Sequence, residues 1–103
     1  MSVTVIIELP AQRDKLEELK DTITAMVPET LSYDGCAGVT MYQNQDESTI
    51  VLIEPWASRA HQERYLAWRT ERGEVAALVA MLTGPPTIRY FNSVDASSGV
   101  PTG

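Results

Sequence analysis

Two segments of this chain carry apolar side chains on both faces of a predicted β-strand, and this feature restricts the possible folds most. Side chains of a strand point alternately to its two sides. In residues 3–9 and 49–56, the larger apolar rows consist of Val3, Val5, Ile7 and Leu9 and of Ile50, Leu52 and Trp56. The opposite rows contain Ile6, Val51 and Ile53. A sheet built from these strands has two apolar faces, and both of them need burial.

The hydrophobic periodicity predicts four strands and two main helices. The strands are residues 3–9, 36–44, 49–56 and 87–94, and the helices are residues 12–31 and 59–72. Pro28 is expected to kink or fray the end of the first helix. Ser58 is a candidate N-cap of the second helix, and Gly73 separates that helix from a short helical continuation over residues 74–82.

The resulting β-α-β-β-α-β order is that of an α+β, ferredoxin-like sandwich with one four-stranded antiparallel sheet. Residues 1–94 form a single domain in this interpretation, and the Ser-, Gly- and Pro-rich residues 95–103 are expected to be a flexible tail. Both helices lie on one face of such a sheet, so the other apolar face remains uncovered. An exposed apolar face of this kind is unusual in a soluble monomer. We therefore expect a homodimer that pairs through the sheet face.

The charge and the cysteine content exclude several classes of protein. The chain has 8 basic and 14 acidic residues and a net charge of -6, so phosphate backbones and anionic lipids repel it. It contains no apolar run of the roughly 18 residues that span a bilayer. Its single cysteine, Cys36, suits a reducing compartment, and the N-terminus lacks a basic signal-peptide region. These features predict a cytoplasmic protein with neither nucleic acid nor membrane as partner.

The arginines of the second helix do not change this expectation. Arg59, Arg64, Arg69 and Arg72 alternate with the acidic residues Glu63, Glu71 and Glu74. Mixed charges of this kind are typical of a solvated helix face. We therefore interpret this segment as a solvent-exposed, mixed-charge surface.

Two short motifs resemble those of a known family. The turn Asp34-Gly35-Cys36, followed by alternation up to Tyr42, resembles the Glu-Pro-Gly-Cys opening of the second strand in antibiotic biosynthesis monooxygenase (ABM) domains. The segment Ile-Glu-Pro-Trp-Ala-Ser at residues 53–58 resembles the third-strand signature of that family. Together with the order of elements, the resemblance covers residues 3–94.

The resemblance implies a dimeric α/β barrel with a pocket between the sheet and the helices. Some members of the family oxidise aromatic polyketide quinols with dioxygen and without a metal, flavin or other cofactor. Many members carry a His at the position of Tyr65, and the polyketide oxygenases carry an Asn at the position of Leu52. The haem-degrading branch has further residues that this chain does not match, which disfavours haem degradation.

Three residues of the second helix are candidates for a site. His61, Tyr65 and Trp68 stand at positions i, i+4 and i+7, so they share one helix face. If this face looks onto the sheet, His61 could act as the general base on a phenolic proton. Tyr65 or Tyr42 could then hydrogen-bond the developing oxyanion. The alternative is that Tyr65 and Trp68 are core residues and that His61 is exposed near the helix start.

Residues at the end of the third strand are further candidates for substrate binding. Trp56 is either a core residue or a pocket wall. Glu54 shares its face and either forms a salt bridge with Arg69, Arg89 or Arg64 or tunes a neighbouring base. Cys36 has no local base and is expected to be a small buried hydrophobe. No residues have the spacing of metal ligands or of a phosphate loop, so we expect neither a metal nor a nucleotide. That no cofactor is needed is what the family resemblance implies.

These residues and the resemblance support three hypotheses about function. The first is a cofactor-independent monooxygenase that acts on a small aromatic or quinol, polyketide-like substrate. The second is a non-catalytic dimer that binds a small aromatic molecule or has a structural role. The third is an isomerase or cyclase on the same fold, whose pocket performs proton transfer only.

Overall fold

Residues 2–94 fold into a two-layer sandwich of one antiparallel sheet and three helices. The computed structural model describes residues 2–94. The strands are β1 (Val3–Pro10), β2 (Thr40–Gln43), β3 (Thr49–Trp56) and β4 (Thr87–Phe91). The helices are α1 (Leu16–Ser32), which follows a 3-10 turn at Arg13–Lys15, α2 (Arg59–Glu71) and α3 (Glu74–Val79). This order confirms the predicted ferredoxin-like α+β fold.

The two strands with apolar side chains on both faces are the central strands of the sheet. The strand order is β2-β3-β1-β4, and every neighbouring pair is antiparallel. Val3 pairs with Trp56 across β1 and β3, and Thr4 pairs with Phe91 across β1 and β4. The more polar strands β2 and β4 occupy the edges, where fewer side chains need burial.

The two faces of the sheet differ in how they are covered. On β3 the residues alternate between buried and half-buried, and Ile50, Leu52, Glu54 and Trp56 point towards the helices. We call this the inner face. The outer face carries the half-buried Ile6, Val51 and Ile53 and the exposed Tyr42 and Phe91. No helix of residues 2–94 covers this outer face.

The core under the helices consists of two separate clusters. The first contains Leu9, Ala11, Leu19, Ile23, Ile50, Leu52, Met81 and Leu82. The second, which we call the aromatic cluster, contains Val3, Val5, Trp56 and Tyr65, with Tyr33 and Trp68 packed against it. Leu19 and Ile23 are one helical turn apart, so α1 faces the first cluster along its apolar stripe. Residues of both clusters line the cavity described below.

Several element boundaries differ from the predicted ones. Helix α1 continues through Pro28 to Ser32, so this proline does not end the helix. Strand β2 begins at Thr40, and Cys36 forms only an isolated bridge with Trp56. Strand β4 ends at Phe91 instead of residue 94.

Other boundaries agree with the sequence. Ser58 caps α2 by accepting a hydrogen bond of 3.2 Å from the His61 N–H. Gly73 adopts a positive φ of 80° and separates α2 from α3, as predicted. The predicted flexible tail lies outside the described residues. No helix between residues 2 and 94 is long and apolar enough to cross a membrane.

Candidate functional site

A cavity of about 100 Å³ lies between the inner face of the sheet and the helices. Its walls are mainly aliphatic side chains, among them Ile7, Leu9, Ile23, Leu52, Leu66 and Ile88. The lining reaches the protein surface at Val79, whose side chain is 42% exposed. Five polar residues also line the cavity, namely Thr30, Glu54, Gln62, Tyr65 and Arg69. A mainly apolar pocket with a few polar groups is the usual form of a small-molecule site.

Glu54 is the acidic group of this cavity. It follows Leu52 by two positions on β3, so strand alternation directs it inward, and only 3% of its surface is exposed. Burial raises the pKa of the Glu54 carboxyl above its usual range, although a hydrogen bond from Trp56 acts in the opposite direction. No Lys or Arg of the described chain forms a salt bridge with it: Arg69 pairs with Glu29 and Glu74, and Arg89 with Glu8. The alternative of a bridge from Glu54 to an arginine is therefore wrong.

Arg69 of α2 is buried, although the sequence predicted a solvent-exposed arginine at this position. It is 1% exposed, and all three of its nitrogens donate hydrogen bonds. The acceptors are the Tyr65 hydroxyl (2.9 Å), Glu74 (2.7 Å), Glu29 (3.2 Å), the Met26 carbonyl (3.0 Å) and Thr30 Oγ1 (3.1 Å). These acceptors lie on α1, α2 and α3. Arg69 therefore joins the three helices, and its donors are occupied within the protein.

The hydroxyl of Tyr65 is part of the same network. It lies 2.7 Å from Thr30 Oγ1, and Thr30 in turn donates its proton to the Met26 carbonyl. Since Thr30 has only one proton, the Tyr65 hydroxyl is the donor in the bond that joins the two residues. Burial raises the pKa of the Tyr65 phenol, against the lowering effects of Thr30 and Arg69. Tyr65 thus lines the cavity as a neutral phenol whose proton is already donated to Thr30.

The face of α2 that meets the sheet differs from the predicted one by one position. The buried residues of α2 are Gln62, Tyr65 and Arg69. The predicted face of His61, Tyr65 and Trp68 shares only Tyr65 with this set. The sequence pattern predicted a solvated Arg69 because of the mixed charges around it, and it did not single out Gln62; no local signal indicates that either residue has a buried partner. Gln62 is fully buried and accepts a hydrogen bond of 2.6 Å from the Tyr90 hydroxyl.

His61 lies at the start of α2 and does not line the cavity. Its Nδ1 is 2.7 Å from Ser58 Oγ, and its Nε2 is 3.7 Å from Asp34 Oδ2. The imidazole packs directly over Gly35, where an added Cβ would lie 2.5 Å from the ring. Gly35 has a φ of 93°, so the turn before β2 needs glycine both for its backbone conformation and for this contact. The structure does not bring His61 and Tyr65 together at one cavity.

The two tryptophans belong to the aromatic cluster and not to the cavity wall. Trp56 is fully buried, and its ring centroid lies 5.1 Å from that of Tyr65 and 6.3 Å from that of Tyr33. Trp68 is half-buried, and the guanidinium groups of Arg69 and Arg72 stack over it at 4.8 and 4.5 Å. Trp56 acts on the cavity indirectly, because its indole N–H donates to Glu54 at 3.0 Å.

The remaining candidates lie away from the cavity. Tyr42 is on the outer face of the sheet and is 54% exposed, so the sheet separates it from the cavity. Cys36 is half-buried against the aromatic cluster, and burial raises the pKa of its thiol, which makes it a poor nucleophile. Between residues 2 and 94, no group of three or more His, Cys, Asp and Glu side chains could hold a metal ion.

Comparison with known sequences identifies one family and one curated relative. The profile of the antibiotic biosynthesis monooxygenase family matches residues 2–72. A protein of Mycobacterium tuberculosis (strain ATCC 25618 / H37Rv), named "Putative monooxygenase Rv0793", is 28% identical over 102 residues. The match covers 93% of this chain and 95% of the relative.

Solved structures share the same fold over most of their length. The structure of Rv0793 superposes with a TM-score of 0.82 at 24% identity, covering 94% of this chain and 99% of that one. A conserved protein from Methanosarcina mazei Go1 has a TM-score of 0.81 at 16% identity, covering 91% and 94% of the two chains. A variant of SnoaB, a cofactor-independent oxygenase from Streptomyces nogalater, has a TM-score of 0.77 at 18% identity, covering 93% and 96%.

Proposed function

Because the chain belongs to the antibiotic biosynthesis monooxygenase family, we propose that it oxidises a small phenol or quinol with dioxygen in the cavity under its helices. The observation that carries this proposal is Glu54, a buried carboxyl group on a mainly apolar cavity wall. A carboxylate without a cationic partner is costly to bury in such a place. Strongly perturbed carboxyl groups in cavities are candidates for acid–base chemistry.

Glu54 has the properties of a general base for a phenolic proton. Its raised pKa makes the carboxylate a stronger proton acceptor than an exposed glutamate. The indole of Trp56 holds Oε1 through a hydrogen bond of 3.0 Å, which orients the carboxyl group. When Glu54 removes the phenolic proton of the substrate, an electron-rich phenolate remains in a cavity with mainly aliphatic walls.

The phenolate itself supplies the electrons for the oxidation. A hydroquinone and one molecule of dioxygen give a hydroxyquinone and one molecule of water. The ring loses four electrons, one oxygen atom forms the new carbon–oxygen bond, and the other oxygen leaves as water. The proton taken up by Glu54 returns to the departing oxygen, so the carboxylate is regenerated. The reaction balances without a further reductant, in keeping with a cofactor-independent oxygenase.

His61 remains the competing candidate for the base, because histidine is the side chain that most often acts as a general base. The position of His61 over Gly35 favours Glu54 instead, since only Glu54 lines the cavity. The two candidates for the base lead to different expectations for turnover. Turnover depends on the residue at position 54 only if Glu54 is the base.

We also propose that the outer face of the sheet pairs with a second copy of the chain. Ile6, Val51 and Ile53 form the middle of this face, and Tyr42 and Phe91 extend it towards the two edges. Burial of this apolar surface supplies the association energy at roughly 25 cal/mol per Å². The dimer leaves the cavity on the opposite side of each sheet accessible to substrate.

Oxygen uptake with a panel of single-ring and fused-ring quinols tests the enzymatic proposal. We expect the wild-type protein to accelerate oxygen uptake above the spontaneous rate. Glu54→Gln should lower this rate by roughly 10²–10⁴-fold, the usual contribution of a general base. Glu63→Gln, the same change on the exposed side of α2, is the matched control and should keep the wild-type rate.

The same experiment separates the alternative functions. If the protein leaves uptake at the spontaneous rate for every quinol, the oxygenase proposal is wrong and a binding or structural role is favoured. Conversion of a substrate under nitrogen that still depends on Glu54 would indicate an isomerase or cyclase. If His61→Ala abolishes oxygen uptake while Glu54→Gln does not, the base is His61.

A further inference from the structure

Gln62, a residue of the cavity lining, has a buried hydrogen-bond donor without a partner among residues 2–94. Its side chain is fully buried on the inner side of α2, and it is one of the residues that line the cavity. Its Oε1 accepts a hydrogen bond from Tyr90, but its Nε2 has no partner in the part of the chain that the structure describes. An unsatisfied buried N–H costs about 1–3 kcal/mol, and native proteins contain few of them. A ligand oxygen in the cavity would remove this cost.

The orientation of the Gln62 amide is set by Tyr90. The Tyr90 hydroxyl donates to Oε1 at 2.6 Å, so the amide nitrogen points away from Tyr90. The Tyr90 ring is held in turn by the guanidinium of Arg59, which stacks 4.1 Å above it. Tyr90 therefore acts as a positioning residue that keeps the Nε2 donors of Gln62 free.

Gln62 on α2 and Glu54 on β3 both line the same cavity. Tyr90 is paired with Val5, and Val5 is paired with Glu54, so these three residues form one row across the inner face. Neighbouring strands are about 4.8 Å apart, which places Tyr90 and Glu54 about 10 Å from each other along this row. Gln62 reaches the row from α2 above it. The cavity thus has one free donor and one acceptor.

The other polar side chains that line the cavity already form hydrogen bonds within the protein. Arg69 donates to five acceptors, and the Tyr65 hydroxyl donates to Thr30. The volume of about 100 Å³ is comparable with the roughly 150 Å³ of an apolar cavity that binds benzene. One aromatic ring therefore matches the cavity better than a fused ring system.

We infer that Gln62 binds a substrate oxygen through Nε2, and that the cavity selects a single-ring phenol or hydroquinone whose hydroxyl group donates to Glu54. This inference rests on the proposed function for the role of Glu54. Gln62 adds the donor that stabilises negative charge on the ring oxygen after Glu54 has taken the proton. The chemistry that recognises the ligand is one acceptor oxygen, one hydroxyl proton and one flat apolar ring.

Binding of unreactive single-ring compounds tests the inference without any turnover. The probes are phenol and toluene, which have the same ring and differ in the oxygen, measured by calorimetry under nitrogen. The variant is Gln62→Leu combined with Tyr90→Phe, because replacing both hydrogen-bond partners by apolar groups is close to neutral for stability. The single variant Tyr90→Phe keeps the Gln62 donor and removes only its positioning.

We expect the wild-type protein to bind phenol more tightly than toluene. The ratio of the two affinities should be roughly three- to tenfold smaller in the double variant. Toluene should bind equally to both proteins, which shows that the cavity is intact. Tyr90→Phe should lower the preference by a smaller factor. 1-Naphthol should bind more weakly than phenol to the wild-type protein.

Distinct outcomes would overturn the inference and the proposed function. A preference for phenol that is unchanged in the double variant contradicts the role of Gln62, even if oxygen uptake depends on Glu54. Equal binding of 1-naphthol and phenol contradicts the selection of a single ring. Loss of the preference in the double variant, together with uptake at the spontaneous rate, supports the binding role of Gln62 and refutes the oxygenase.

Discussion

Trp56 and Glu54, two residues apart on the inner face of β3, are joined by a hydrogen bond in which the indole Nε1–H donates to Oε1 at 3.0 Å. Both side chains are buried, Trp56 completely and Glu54 to all but 3%. The bond connects the aromatic cluster to the cavity and leaves the carboxyl group without a cation. Burial without a cationic partner disfavours the ionised form of Glu54 in the folded protein, and the hydrogen bond from Trp56 offsets only part of this effect.

Glu54→Gln should make the protein more stable at neutral pH by an amount that disappears in acid. Because burial raises the pKa of Glu54 in the folded state, the unfolded chain ionises at lower pH than the native protein. The wild-type protein therefore loses stability as the pH rises from the ordinary carboxyl pKa through the raised one. Gln keeps the acceptor for Trp56 and does not ionise. Urea unfolding of both proteins at several pH values measures this difference, and a gap independent of pH would contradict the prediction.

Arg69→Met should lower the free energy of unfolding by about 2–4 kcal/mol. The substitution keeps the aliphatic stem but leaves the acceptors on α1 and α3 without their donor. Arg72→Met is the matched control, because Arg72 pairs with the same Glu29 and Glu74 while its side chain is 44% exposed. An exposed ion pair contributes about 0–1 kcal/mol. Equal losses in urea unfolding of the two variants would show that Arg69 does not join the helices.

Three glycine-to-alanine substitutions should follow a graded order of stability. Gly84→Ala should change the stability little, since neither a positive φ nor a close neighbour opposes it. Gly73→Ala should cost about 1–2 kcal/mol for its left-handed backbone alone. Gly35→Ala should cost more, because its Cβ would also collide with His61. Thermal unfolding measures the order, and equal losses at positions 35 and 73 would refute the packing of His61 over the turn.

Ile53→Glu should convert the proposed dimer into a monomer. The substitution places a charge in the middle of the outer face, between Thr40 and Ile6 of the neighbouring strands. A charge without a partner is costly to bury in an apolar interface. Leu31→Glu, a change at an equally apolar residue that is 48% exposed on α1, should leave the dimer intact. Sedimentation velocity at micromolar concentration gives the answer, and a monomeric wild-type protein would refute the interface.

The order of elements and the faces of the central strands were predictable because their signals are local. Alternation over a few residues is enough to separate Ile50 and Leu52 from Val51 and Ile53, and the structure confirms both faces. The N-cap Ser58 and the glycine break at Gly73 are equally local. The length of β2 was overestimated, because an alternating sequence does not show where an edge strand loses its partner.

The candidate site was predictable only in part. Glu54 was identified from its position on β3, and Tyr65 from its position on α2, and both line the cavity. Gln62 and Arg69 were missed, because a buried polar residue has the same sequence signature as an exposed one. For Trp56 and Trp68 the sequence left open a pocket wall or a core position, because aromatic residues suit both, and the structure places them in the aromatic cluster.

The sequence by itself determined the succession of strands and helices and the two apolar faces of the sheet, since these depend on neighbours within one or two turns of the chain. Only the tertiary structure decided which face of α2 meets the cavity. The partners that allow Gln62 and Arg69 to be buried are Tyr90, 28 positions away, and Glu29, 40 positions away. The burial of a polar side chain depends on such distant partners, and the local pattern does not contain them.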